Sequence, residues 1–127
     1  MSGELASAAM DFVAALDSMD VDRLLGGVTE DAQGVDEISR RWLRGRDQLE
    51  GYFRQLMETV SEVRTELRDA DERVWGDAGV VTCWLDQDYT MDGNTQHVSA
   101  PTTVVFRRLG GKWKVALFHS IPLPEQQ

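Results

Sequence analysis

The hydrophobic residues at the start of the chain follow the spacing of an α-helix. One predicted helix face carries apolar side chains at steps of four, three and four residues: Leu5, Ala9, Phe12 and Leu16. A short second helix is expected after Asp20, whose side chain can accept a hydrogen bond from the first helical turn. The glycine pair at 26–27 predicts the end of this helix.

A third helix is predicted to open at Gly45. Asp47 and Glu50 lie in its first turn, where the positive end of the helix dipole favours acidic side chains. Its broad apolar face comprises Leu49, Tyr52, Phe53, Leu56, Met57 and Val60. Residues 30–42, between the second and third helices, mix apolar and charged side chains, and they are predicted to form a short strand with a bend or hairpin.

From Val63 onward the apolar residues alternate with polar ones, which is the spacing of β-strands. Four strands are expected, separated by turn signals at 76–77, at 92–94 and at 110–111. Because three helices come first and four strands joined by hairpins come last, the pattern predicts an α+β fold and not a parallel α/β sheet. The length of 127 residues is that of one domain, so we expect a single domain over residues 1–127.

Both faces of the predicted sheet carry apolar side chains. The strand in the 80s is expected to place Val81, Cys83, Leu85 and Tyr89 on one face and Val80, Thr82 and Trp84 on the other. The last strand is expected to place Trp113, Val115, Leu117 and His119 on one face and Ala116 and Phe118 on the other. Three helices can cover only one face, so we expect the other face to meet a second copy of the chain in a homodimer.

The composition narrows the class of protein. Hydrophobic residues make up 42% of the chain and charged residues 28%, as in globular proteins, and no apolar stretch is long enough to span a membrane. No signal-peptide pattern is present, and the single Cys83 excludes an internal disulfide, so a cytoplasmic location is expected. The net charge of −9, without a basic cluster, argues against nucleic acid or an anionic membrane as partner.

Common cofactor motifs are missing from the sequence. The two histidines and the single cysteine show no metal-ligand spacing, so no metal site is predicted. No glycine-rich loop leads from a strand into a helix, so the sequence lacks the common nucleotide-binding motifs. We therefore expect no cofactor.

Two short motifs carry a family resemblance. GRDQL at 45–49 opens the long helix, and GKWKV at 111–115 is followed by His119 and Ser120. With these motifs the chain resembles the nuclear-transport-factor-2-like superfamily, and within it the SnoaL-like polyketide-cyclase and ketosteroid-isomerase branch. The resemblance implies a cone: a strongly curved antiparallel sheet, three helices packed on its concave face, and a pocket between them. Members of the superfamily include enzymes, carriers and assembly domains, so the resemblance alone does not decide activity.

The resemblance also implies a position for a catalytic base. Residues 30–46 resemble, without a gap, the isomerase segment that holds the catalytic aspartate, and Asp36 falls on that position. In the isomerases this carboxylate moves a proton on an enolisable steroid, while a tyrosine and a protonated aspartic acid stabilise the negative oxygen. The tyrosine position is Phe12 here, and the strand at 100–108 holds no carboxylate. A base without these donors predicts poor steroid isomerisation.

Two interpretations stay open for each candidate catalytic residue. In the first interpretation Asp36 is a general base in the pocket. In the second, one of the two adjacent acids, Asp36 or Glu37, simply faces solvent. His119 shares a predicted strand face with Trp113, and the resemblance turns that face towards the pocket. It is therefore either an acid, base or hydrogen-bond donor near neutral pH, or a histidine bonded within the core.

The pocket walls are predicted to be aromatic, with core packing as the alternative: Phe12, Trp42, Tyr52, Phe53, Trp84 and Trp113. The leading hypothesis is a pocket protein for a small apolar molecule, which binds a carbonyl compound and carries out proton transfer on it. In that hypothesis Asp36 is the base and His119 orients or protonates the substrate oxygen. The alternative is a non-catalytic dimerisation or carrier module with a vestigial pocket.

Overall fold

The computed structural model describes residues 3–124, which form three helices and one six-stranded sheet. The elements in chain order are α1 Glu4–Asp17, α2 Val21–Gly26, β1 Val28–Asp36, β2 Leu43–Arg44, α3 Arg46–Thr59, β3 Val60–Trp75, β4 Ala78–Met91, β5 Asn94–Leu109 and β6 Lys112–Ser120. The predicted α+β class is confirmed.

The curved sheet has the strand order β2-β1-β6-β5-β4-β3. Strands β3 to β6 follow one another as antiparallel hairpins, as the alternating pattern predicted. Strand β1 pairs in parallel with β6, so the sheet is mixed and not wholly antiparallel. Local patterning cannot show this pairing, because it joins the first long strand to the last one. Its effect is to cover an edge of β6 that would otherwise be unpaired.

Residues 30–42 resolve into the end of β1 and the turn that follows it. The chain leaves β1 at Asp36, and Arg40 N donates to Asp36 O at 3.0 Å to close the turn. It then pairs briefly with β1 through the two residues of β2. The predicted strand and bend are thus present, although β1 is longer than the sequence suggested.

The helices lie on one face of the sheet and bury the stripes that the sequence predicted. Leu5, Ala9 and Phe12 of α1 and Leu49 and Phe53 of α3 are all buried in the core cluster. The sheet contributes Val81, Leu85, Val104, Phe106 and Val115 to the same cluster. We call the face under the helices the inner face and the opposite one the outer face. No helix within residues 3–124 is long and apolar enough to cross a membrane.

A β-bulge in β6 changes which side chains face the helices. Phe106 pairs with Val115 and its neighbour Val105 pairs with Leu117, so one extra residue, Ala116, is inserted in β6. Such an insertion interrupts the alternation of side chains along a strand. Val115 faces inward before the bulge, and Phe118 faces inward after it. Unbroken alternation from Trp113 to His119 was expected, and that expectation is wrong.

Candidate functional site

A cavity of about 60 Å³ lies between the helices and the inner face of the sheet. Most of its wall is apolar and includes Phe12, Leu16, Leu49, Phe53, Leu85 and Phe118. A buried water needs about 10–15 Å³, so the cavity has room for roughly four to six waters. That space suits a molecule of few heavy atoms.

Asp36, the last residue of β1, brings a carboxylate into this apolar wall. Its Oδ1 accepts hydrogen bonds from Ile38 N at 3.1 Å and from Ser39 N at 2.8 Å. The hydroxyl of Tyr52 lies 2.8 Å from Oδ1 and 2.9 Å from Oδ2. These donors fix the orientation of the carboxylate. They also engage Oδ1 more fully than Oδ2, which meets Tyr52 alone.

Tyr52 reaches Asp36 from the middle of α3. Burial raises the pKa of Tyr52 far above its usual value, and the negative charge of Asp36 raises it further. The hydroxyl therefore keeps its proton at any ordinary pH and remains a hydrogen-bond donor to the carboxylate. The helix thus anchors the turn after β1 through one side chain.

Glu37 follows Asp36 and lines the same cavity. Burial raises the pKa of Glu37 from its usual 4.5 to about 7, and the adjacent charge of Asp36 adds to the rise. Within residues 3–124 no hydrogen bond or ion pair joins its carboxyl group to another side chain. The cavity therefore contains one anchored carboxylate and one carboxyl group that titrates near neutrality.

Gln87 and Ser120, two further polar residues in the cavity wall, already bond within the protein. Gln87 Nε2 donates to Thr65 Oγ1 at 3.0 Å, and Ser120 Oγ lies 2.8 Å from Thr102 Oγ1. Burial raises the pKa of Tyr89, and the charges of Glu37 and Asp36 add to this rise, so its hydroxyl stays neutral. The acidic pair is the part of the wall best able to exchange a proton with a guest.

Comparison with known families places the chain in one of them. Residues 5–124 match the SnoaL-like domain family. The chain belongs to the SnoaL-like domain family. No curated protein matches this SnoaL-like domain at a significant level.

Solved structures of low sequence identity share the fold of this SnoaL-like domain. A proposed dehydratase of the NTF2-like family from Streptomyces avermitilis superposes with a TM-score of 0.87 at 20% identity, over 96% of each chain. A ketosteroid isomerase-like protein from Erwinia carotovora superposes with a TM-score of 0.81 at 19% sequence identity, covering 98% of this chain and 100% of the other. A proposed calcium/calmodulin-dependent protein kinase II association domain from Xanthomonas campestris superposes with a TM-score of 0.84 at 23% sequence identity. The superposition covers 98% of this chain and 91% of the other. At these identities the likeness concerns the fold alone.

Half of the predicted aromatic wall lies in the cavity of this SnoaL-like domain. Phe12, Tyr52 and Phe53 line it, while Trp42, Trp84 and Trp113 do not. The three tryptophans occupy different parts of the surface. Trp42 is 40% exposed, Trp84 stacks under the Arg68 guanidinium on the outer face at 5.3 Å, and Trp113 Nε1 donates to Glu4 Oε2 at 3.0 Å. Placing these three in the pocket wall was wrong.

His119 lies outside the cavity, so the expectation that it shares a site with Asp36 is corrected. The bulge at Ala116 turns Phe118 and Ser120 inward and His119 outward. His119 lines a shallow depression of the outer face together with Trp84, and its ring centroid lies 6.2 Å from that of Trp42. No reaction in the cavity can use this histidine directly.

Sequence reasoning missed two features of the site. Tyr52 was expected in the wall but not as the partner of Asp36, and Glu37 was left open between pocket and solvent. The adjacency of the two acids was the only local signal, because Tyr52 is 16 residues from Asp36 in the chain. Metal binding has no support in the described part of the chain, where no three His, Cys, Asp or Glu side chains are grouped to hold an ion.

Proposed function

We propose that this SnoaL-like domain binds a small apolar carbonyl compound and transfers a proton on it. The observation that carries the proposal is the acidic pair, Asp36 and Glu37, in the wall of a mostly apolar cavity. An apolar pocket with a few convergent polar groups and a perturbed pKa is the usual form of a small-molecule site. The proposal retains a proton-transfer role for the acidic pair but gives His119 no part in it.

The chemistry follows from the surroundings of the pair. A carboxyl group whose pKa lies near the working pH is well matched to take up and return a proton. The raised pKa of Glu37, caused first by burial and then by Asp36, meets this condition. The apolar wall, which includes Phe12 and Phe53, favours an uncharged guest. The cavity volume further favours a small ring or short chain over a polycyclic compound.

The proposal is tested with cyclopentanone as the probe in deuterated water. We expect binding, seen by saturation transfer from protein to ketone in NMR spectra. We also expect exchange of the α-hydrogens for deuterium at roughly 100 times the rate in buffer or more, which is the usual range for a positioned acid–base group. Binding without exchange would favour the non-catalytic carrier. Absence of both would contradict the proposal.

The outer face supports a second proposal, that two copies associate. Val80, Val105 and Leu117 pair across β4, β5 and β6 in one row, and Trp84 pairs with Pro101 beyond the intervening Thr82–Thr103 pair. We call the five apolar residues the outer apolar patch. Each is half-buried in the single chain, and no helix covers the patch. Leu85, Tyr89 and Phe118 of the same strands face the cavity instead. We propose a homodimer through this patch.

Light scattering tests the dimer. At micromolar concentration we expect twice the 14.3 kDa mass of one chain for the wild-type protein. Val105→Lys puts a charge in the centre of the patch and is expected to give the mass of one chain. Gln96→Lys, at an exposed position of the same strand, is the matched control and should remain dimeric. A wild-type mass of one chain would rule this interface out. A cytoplasmic location stays a prediction from sequence.

A further inference from the structure

The two carboxyl groups of the cavity differ in what already holds them. Asp36 Oδ1 accepts from two backbone amides, and both of its oxygens lie within hydrogen-bond distance of the Tyr52 hydroxyl. Moving this carboxylate towards a guest would break contacts that also shape the turn after β1. The Ser39 hydroxyl accepts a hydrogen bond from Asp36 N at 3.0 Å in the same turn, so both the backbone and the side chain of Asp36 are held.

Glu37 has none of these restraints on its side chain. Its backbone oxygen accepts from Arg40 Nε at 3.1 Å, which fixes the main chain. Glu37 lines the cavity, and no other side chain of residues 3–124 bonds to its carboxyl group. Glutamate also has one more methylene than aspartate, so its carboxyl group can adjust to a guest while the backbone stays in place.

We infer that Glu37 is the residue that takes the proton from the bound carbonyl compound and returns it, and that Asp36 is a positioning residue that acts through Glu37. The inference rests on the proposed function and deepens it. The resemblance to ketosteroid isomerases placed the base at Asp36, so the inference moves the role by one residue.

The reaction step balances within the site. The Glu37 carboxylate removes a proton from the carbon next to the carbonyl, and a new O–H bond forms on Glu37. The electron pair of the broken C–H bond forms the carbon–carbon double bond of the enolate, and the carbonyl π pair moves to oxygen. The neutral Glu37 then returns the proton, or a deuteron after exchange with solvent, to carbon. No oxidant, reductant or second substrate is needed.

Three other titratable groups line the cavity around Glu37. Asp36 precedes it on β1, Tyr52 faces it from α3, and Tyr89 faces it from β4. Both tyrosines remain neutral, because burial and the acidic pair raise the pKa of each. Asp36 is thus the neighbour whose charge acts on the ionisation of Glu37. Replacing Asp36 by asparagine should lower the pKa of Glu37.

The test compares four proteins in the cyclopentanone exchange assay across pH. For the wild type we expect the rate to rise tenfold per pH unit below about 7 and to level above it, since the carboxylate is the active form. Glu37→Gln should lower the exchange rate at least 100-fold while saturation transfer still shows bound ketone. Asp36→Asn should keep exchange, with the inflection at a lower pH than in the wild type, because the charge of Asp36 adds to the raised pKa of Glu37. Glu58→Gln, an exposed change on α3, should match the wild type.

An NMR titration of carboxyl-labelled glutamate gives a readout that needs no activity. One signal with a midpoint near pH 7 should be lost in Glu37→Gln and move to lower pH in Asp36→Asn. A fast Glu37→Gln variant together with an inactive Asp36→Asn variant would overturn the inference and leave the proposed function standing. A wild-type protein that exchanges nothing at any pH would overturn both.

Discussion

The purified protein is expected to leave a β,γ-unsaturated 3-ketosteroid almost unconverted, at a rate on the order of four decades below that of ketosteroid isomerases. Enolisation at the rate of a ketosteroid isomerase needs hydrogen-bond donors placed in advance for the negative oxygen, and each such donor contributes roughly 3 kcal/mol. Both donors of the isomerases are missing: Phe12, which has no hydroxyl, lines the cavity at the position that the resemblance assigns to the donor tyrosine, and residues 100–108 hold no carboxylate. The hydroxyl of Tyr52 is engaged by Asp36. The cavity of about 60 Å³ adds a steric obstacle to a four-ring molecule.

The measurement follows the absorbance of the conjugated ketone after mixing protein and steroid at several pH values. Phe12→Tyr is the informative companion variant, because it restores a hydroxyl at the position where the isomerases carry one. Any steroid turnover should increase in that variant. Rapid turnover by the wild type that is lost in Asp36→Asn would contradict the prediction and show that another oxyanion hole exists.

The parts of the fold that follow from short-range spacing could be predicted from the sequence. The stripe of α1, the apolar face of α3 and the turn at 92–94 each depend on neighbours within a few residues, and each is present. The glycine and aspartate of that turn, Asp92 and Gly93, have φ values of 54° and 78°, as a tight hairpin requires. The α+β class followed because helices and strands occupy separate parts of the sequence.

The parts that depend on a distant partner could not be predicted in this way. The bulge at Ala116 exists only relative to the register of β5, and it decides that Phe118 and not His119 faces the cavity. The parallel pairing of β1 with β6 likewise joins the two ends of the sheet. The size of an aromatic side chain did not predict its location. Strand alternation placed Trp84 on the sheet face opposite to that of Leu85, but the bulk of the tryptophan led to its assignment to the cavity wall.

The candidate site shows the same division. A family resemblance located Asp36 within the chain, and the structure brings it to the cavity. The hydrogen bond from Tyr52 links the turn after β1 to α3, and the packing of that helix on the sheet creates it. The raised pKa of Glu37 comes mainly from burial, which depends on the finished cavity. Residue types can be located from sequence, but their electrostatics require the folded environment.

Phe106→Ala is expected to lower the free energy of unfolding by about 3–5 kcal/mol, because deleting a buried ring removes its packing and leaves a void. Phe106 is the largest of the fully buried side chains in the described residues, and it is 1% exposed. It pairs with Val115 immediately before the bulge, so it supports the segment of β6 that turns Phe118 into the cavity. For a domain whose total stability is typically about 5–15 kcal/mol, this loss is a large fraction.

Urea unfolding at one protein concentration measures the loss in the free energy of unfolding. In thermal unfolding the melting temperature should fall by on the order of 10–20 °C. Arg107→Ala is the matched control, since it changes the next residue of β5 at an exposed position and should stay within about 0.5 kcal/mol of the wild type. Because Phe106 borders the bulge, the folded fraction of Phe106→Ala should also bind cyclopentanone more weakly than Arg107→Ala does. A Phe106→Ala protein as stable as its control would show that the ring is not in the core, and the inward assignment of Phe118 beside it would have to be abandoned.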